Sequence, residues 1–238
     1  MNRKPLYWGA VSGLFLLLSA AVVVFLLLKH EPGFYERASL AATKERHKLS
    51  VQFASSFAQF YQDVTSSREW RALFPQDAIN SFFQEQFVPD GWSDRVLPEG
   101  ITEPRVAIEH DRLCLAFRYN LGFMTTVISI DMCVWLAPKD PNAVVLELKS
   151  LHAGALPIAA QSLLEQVSET ARQNNIDVTW YRHEGNPVAL LHFQADQDRP
   201  TFRLEHLALD NQRIEIFGRS TERSTFRAMV SGTDSKTH

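Results

Sequence analysis

Hydrophobic residues in this chain first dominate one uncharged stretch, then recur at helical spacing, and then alternate. The uncharged stretch covers residues 6–28, from Leu6 to Leu28, and ends in "AAVVVFLLL". Residues 31–64 then place Leu49, Phe53, Phe57, Phe60, Tyr61 and Val64 on one stripe, which predicts a single long helix. "SSREWRALFPQDAINSFFQEQF" predicts a second helix, with Pro75 and Asp77 suited to its first turn and Ile79, Phe82, Phe83 and Phe87 on its buried face. A Pro/Gly-punctuated loop, "VPDGWSDRVLPEGITEP", follows.

From Pro104 the period becomes two. "PRVAIEH" and "RLCLAFRY" predict strands joined at a polar tip, and "FMTTVISIDMCVWL" a third. The third strand puts Thr126, Ile128, Ile130, Met132, Val134 and Leu136 on one face and Ser129 and Asp131 on the other. "NAVVLELKSL" repeats the alternation, with Val144, Leu146 and Leu148 inward and Glu147 and Lys149 outward. Gly154 and Pro157 break that strand and start a helix whose buried stripe is Ile158, Leu163, Leu164, Val167 and Ala171. "IDVTWYRH", "PVALLHFQAD", "TFRLEHLALD" and "RIEIFGR" complete two hairpins. The predicted fold class is α+β. An N-terminal transmembrane helix precedes long helices packed on a large curved antiparallel meander, with one helix inserted between strand groups. The expected divisions are a short cytoplasmic N-terminus (1–5), an anchor (6–28), a helical segment and loop (29–103), a β-rich part of the same domain (104–219) and a disordered tail (220–238).

Residues 6–28 carry no charge, and at about 1.5 Å per residue a helix of that length crosses a hydrocarbon core of about 30 Å. Arg3 and Lys4 precede the run and Lys29 follows it, so the N-terminal flank is slightly the more basic. That predicts a single-pass protein of the cytoplasmic (inner) membrane, with the N-terminus inside and the remaining domain outside the cytoplasm. A cleaved signal peptide would have a shorter apolar region ending in small residues, whereas this run ends in Leu26, Leu27 and Leu28.

The 238 residues carry a formal net charge of −3, which lacks the basic footprint of a nucleic-acid binder. Two cysteines, Cys114 and Cys133, invite a disulfide outside the cytoplasm. A two-residue turn at Leu121–Gly122 sets a register in which paired positions sum to 243. Cys114 then opposes Ser129 and lies roughly 13 Å from Cys133, too far for the bond.

Chemistry is sparse. The chain has no H-E-x-x-H, G-x-S-x-G, Walker loop, G-x-G-x-x-G or C-x-x-C, and no metal or cofactor is expected. Glu109, His110 and Asp111 could serve a metal or a base but equally form a hairpin tip, and Glu205–His206 stands no better. In "TWYRHEGNPVALLHF", Arg182, His183 and Glu184 look like a site. Glu184-Gly185-Asn186 is turn chemistry between two alternating runs, and the polar residues bunch there because hairpin ends are wet, so the stretch is expected to be a turn.

The order of "PQDAINSFF", meandering strands, "LKSLHAGALPIAAQSLLEQV" and "IDVTWY" resembles the YpmS-like family of membrane-anchored extracytoplasmic proteins. That family is remotely similar to the tubular lipid-binding (TULIP) proteins. The resemblance covers residues 34–218 in element order and is most specific at 149–164. It implies a non-catalytic domain binding lipid or another apolar ligand. The groove would be lined by Phe53, Phe57, Phe60, Ile128, Ile130, Met132, Val134, Leu156, Ile158 and Leu163. The alternative is an anchored structural or interaction domain of an envelope complex, with a solid core and a protein partner.

Overall fold

The computed structural model describes residues 4–87, 100–120, 122, 124–138, 142–161, 164, 165, 168, 169, 172, 177–193 and 201–220. Helix α1, Lys4–Lys29, is long and apolar enough to cross a membrane, and its side chains from Gly13 to Phe25 are exposed. Two helices follow where one was expected: α2, Gly33–Arg37, and α3, Lys44–Ser66. The break has a physical reason. Tyr35 on α2 packs with Ala116 and Val127 on one face of a sheet, while Phe53 and Phe60 on α3 pack with Val134 on the other. No straight helix reaches both faces. Thr43 restarts the helix as its N-cap, accepting from Arg46 N–H at 3.3 Å.

The second expected helix is half strand. Residues Glu69–Pro75 form β1, with Trp70, Ala72 and Phe74 buried and Glu69, Arg71 and Leu73 exposed, a pure period of two. Only from Gln76 does the chain turn helical, as α4, Gln76–Phe82, followed by a π-helical turn, Phe83–Phe87. Strand β1 pairs with the last strand of the described chain, a partner that local sequence does not announce.

The remaining strands are β2, Ile101–Glu109; β3, Arg112–Asn120; β4, Thr125–Leu136; β5, Ala143–Ala153; β6, Leu156–Pro157; β7, Asp177–His183; β8, Asn186–His192; β9, Phe202–Asp210; and β10, Arg213–Ser220. They form two antiparallel sheets. The larger runs β2-β3-β4-β5-β8-β7 with β6 beside β5; the smaller runs β1-β10-β9. The fold is therefore α+β with a long antiparallel sheet. Pro104 sits on edge strand β2, where the register slips between Thr102 and Arg105, so its missing N–H breaks no ladder.

Three sequence expectations need correction. Positions on β3 and β4 sum to 245 rather than 243, because Asn120 pairs with Thr125 across a longer connection. Cys114 thus opposes Asp131, and Cys133 is only two residues further along. Both are free thiols, and a diagonal pair of about 7–8 Å stays outside disulfide reach. Glu147 is buried rather than outward. Pro157 and Ile158 precede the inserted helix, whose described residues begin at Gln161. Most of the Pro/Gly loop, the tail beyond Ser220, and Leu163, Val167 and Ala171 lie outside the described residues.

The core sits between the two sheets and under α3 and α4. Ala72, Phe74, Ile79, Val106, Ile108, Val134, Val144 and Leu209 form its buried cluster. A second cluster, Phe117, Ile130, Leu148 and Leu151, packs under Ala160 and Leu164. Two buried asparagines fasten the layers. Asn80 on α4 donates to Val106 C=O at 2.9 Å and accepts from Val106 N–H at 2.8 Å, so its amide replaces the strand that edge β2 lacks. One turn earlier, Gln76 accepts from Ile108 N–H at 2.7 Å. Asn142 does the same for the smaller sheet, donating to Phe202 C=O and accepting from Leu204 N–H. Trp70 packs over Gly218, where an added Cβ would sit 2.3 Å from the indole.

Candidate functional site

The end of α1 is built into the sheet. A helix leaves its last carbonyls without intrahelical partners. Here Ala155 N–H donates to Leu27 C=O at 2.8 Å and the buried Thr126 hydroxyl donates to Leu28 C=O at 2.6 Å. The approach requires Gly154. Its φ is +59°, and a Cβ there would lie 2.2 Å from Leu27 O and 2.6 Å from Leu28 O. Gly154 N–H itself donates to Val127 C=O at 2.8 Å, which holds the turn on β4.

A chain of charge secures the same corner. Arg118 on β3 pairs with Glu31, just beyond α1, at 2.9 Å and with Glu103 at 3.2 Å. Glu103 pairs with Arg105 at 3.0 Å. The Arg105 guanidinium lies 4.1 Å from the centroid of the Tyr35 ring, a cation–π contact, and donates to Tyr35 C=O at 2.8 Å. Tyr35 is fully buried, and its hydroxyl donates to Glu103 C=O at 3.0 Å. Burial pushes that hydroxyl up to about 12, so it stays a neutral donor across the physiological range. Beside this corner an indentation of about 340 Å³ is lined by Phe25, Lys29, Glu31, Arg118, Met124 and Thr125.

The residues expected to line an apolar groove fall into two groups. Phe53, Phe57 and Phe60 join Phe74, with ring centroids 5.5–6.3 Å from that ring, and Val134 belongs to the same core. Phe53 also meets Phe82 at 5.0 Å, and Phe60 meets Trp70 edge-on at 5.5 Å. These rings fill the space between one another. Phe57 is 53% exposed, and with Val51 and Tyr61 it leaves an apolar stripe on the outside of α3. Ile128, Ile130 and Met132 lie in the second cluster with Leu164. Leu156 is half-buried in β6, Ile158 is exposed, and Leu163 lies outside the described residues.

A wider opening lies elsewhere. An open groove of about 590 Å³ runs between the inserted helix and the β7–β8 hairpin, lined by Leu164, Ser168, Arg172, Trp180, Tyr181 and Pro187 among others. Trp180 Nε1 donates to Ser168 Oγ at 2.7 Å, which ties helix to hairpin at the groove floor.

The His183 stretch has a structural task. Glu184 and Gly185 take φ of +51° and +87°, as a two-residue hairpin requires. Buried Glu147 accepts from Lys149 at 2.8 Å and from Asn186 at 2.9 Å, with His183 Nδ1 at 3.6 Å. These hydrogen bonds hold the Glu147 carboxyl below the usual carboxylate range. At the other tip, His110 lies 3.3 Å from Asp111 and 3.5 Å from Asp210, all of them exposed. Among the described residues, no three His, Cys, Asp or Glu side chains converge on a point that could hold a metal.

Sequence reasoning read Gly154 only as a strand break and Thr126 only as one residue of a strand face, and it gave Glu31 and Arg118 no part in a site. One signal pointed there. Only His30, Glu31 and Pro32 separate α1 from α2, which carries Tyr35, so the end of α1 has to lie beside whatever α2 packs against. No protein-family model, no curated protein and no solved structure matches the chain.

Proposed function

We propose that the chain is a non-catalytic interaction domain of an envelope complex. Residues 6–28 anchor it in the cytoplasmic membrane with the N-terminus inside, and the α+β domain is displayed outside the cytoplasm. The carrying observation is the seating of Leu27 and Leu28 on Ala155 and Thr126 across Gly154, which fixes the domain to its anchor instead of leaving it on a tether. A rigid mount suits a surface that must meet its partner at a set height and orientation. The close ring contacts of Phe53, Phe60, Phe74 and Trp70 favour a solid core, and the exposed stripe Val51, Phe57 and Tyr61 supplies a contact face. The second reading, a domain binding lipid or another apolar ligand as the YpmS-like resemblance implies, is favoured by the groove at Leu164, Trp180 and Tyr181.

One experiment separates them. A photo-crosslinking amino acid is placed at Phe57, at Tyr61 and at Tyr181 in the full chain in intact membranes. A discrete protein adduct from the α3 positions supports the interaction domain. Lipid adducts from Tyr181 with no protein adduct from α3 support the ligand reading instead. Protease added outside the cytoplasm should remove the domain but not α1; full protection would refute the orientation.

A further inference from the structure

A cation in the last turn of a helix can serve that helix's own free carbonyls. At the end of α1, Ala155 N–H and the Thr126 hydroxyl already serve the carbonyls of Leu27 and Leu28. Among the described residues Lys29 meets no carboxylate; its Nζ stands 5.3 Å from the centroid of the Phe25 ring. It borders the indentation of about 340 Å³ whose other charged walls are Glu31 and Arg118 and whose apolar walls are Phe25 and Met124. Arg118 is shared between Glu31 and Glu103, so Lys29 is the cation left over. The three charges lining the opening sum to one positive, and the opening abuts the C-terminal end of α1 at Phe25 and Lys29.

We propose that this indentation is a phospholipid headgroup site. It selects a headgroup that carries a hydrogen-bond donor, such as ethanolamine or glycerol, over choline. Lys29 takes the phosphate oxygens and Arg118 adds its charge from across the pocket. Glu31 accepts from the headgroup amine or hydroxyl, a contact that a quaternary ammonium cannot make. Phe25 and Met124 lie against the start of the acyl chains. The site rests on the anchor reading and refines it, since the lipid would pin the domain at one depth.

The test uses the full chain in nanodiscs made of equal parts phosphatidylcholine, phosphatidylethanolamine and phosphatidylglycerol. Lipid retained after mild detergent extraction is measured by native mass spectrometry. Wild type should retain ethanolamine or glycerol lipid in preference to choline lipid. Lys29→Gln should lower that retention about fivefold, the loss expected for one interfacial cation, while Lys29→Arg and the distant Lys48→Gln should not. Equal retention of all three lipids, or unchanged retention in Lys29→Gln, overturns the site. Displacement of the lipid by inorganic phosphate as readily as by a short-chain phosphatidylglycerol would show a free-phosphate site and overturn the lipid assignment. A carbonate wash of native membranes reads the anchor separately. Release of the chain there refutes the anchor, whereas loss of lipid selectivity in carbonate-resistant protein refutes only the headgroup site.

Discussion

Replacing Gly154 by alanine should uncouple the domain from α1. The added methyl meets two backbone oxygens, Leu27 O at 2.2 Å and Leu28 O at 2.6 Å, and neither can rotate away as a side chain would. Relief requires the end of α1 to move, which gives up the bonds from Ala155 N–H and the Thr126 hydroxyl. Two such bonds are worth about 1–3 kcal/mol together. The positive φ of +59° adds about 1–2 kcal/mol for any residue with a Cβ. The total is roughly 2–5 kcal/mol. Gly185 provides the control, since its φ is also positive at +87° and nothing lies within 4 Å of its Cβ position. Gly185→Ala should therefore cost only the conformational part. Unfolding of both variants in detergent, followed by tryptophan fluorescence, reads the difference. Limited proteolysis between α2 and α3 should accelerate in Gly154→Ala alone. If the two variants differ by less than about 0.5 kcal/mol, the close approach of α1 does not hold the domain.

Other substitutions test the remaining joints. Asn80→Ala orphans both the N–H and the C=O of Val106 in a buried setting and should cost about 2–4 kcal/mol in chemical denaturation; a loss under 1 kcal/mol would show that water replaces the amide. Phe57→Ala should cost about half the ~3–5 kcal/mol of a fully buried Phe→Ala, because half of the ring is already exposed, whereas Phe74→Ala should cost the full amount; equal losses would contradict the packing. The depressed carboxyl of Glu147 adds stability that is present above the unfolded value near 4.3 and is lost as pH falls through the folded value. Thermal melts should thus drop more steeply below about pH 4 in wild type than in Glu147→Gln; parallel acid limbs would remove Glu147 from the account.

Much of this architecture was legible where one residue type dominates one period. The uncharged run of α1, the alternation in β2 to β5 and the hairpins at Glu184–Gly185 and Asn211–Gln212 all follow from local chemistry. Strand β1 was misread because "EWRALF" lies between helical segments and fits either period over so short a run. Its partner Arg213–Ser220 comes almost 150 residues later, and that pairing decides the outcome. The β3–β4 register slipped by two because four residues, not two, separate Asn120 from Thr125. Glu147 looked outward by alternation, but Lys149 and Asn186 hold it inside, and such partners leave no mark in a hydropathy pattern. The junction at Gly154 was hidden for the same reason, since a glycine after a strand reads as a break whether or not a helix end rests against it.

The rigid seating of the domain on α1 is the central claim, and a distance distribution tests it most directly. Spin labels are placed at Val22→Cys on α1 and Tyr181→Cys on β7, both exposed, in a full chain with Cys114 and Cys133 replaced by alanine and embedded in lipid nanodiscs. Pulsed electron paramagnetic resonance should give a single narrow distance peak, and Gly154→Ala should broaden it. A broad distribution in the parent chain, unchanged by Gly154→Ala, would show a domain swinging on a tether and would contradict the account.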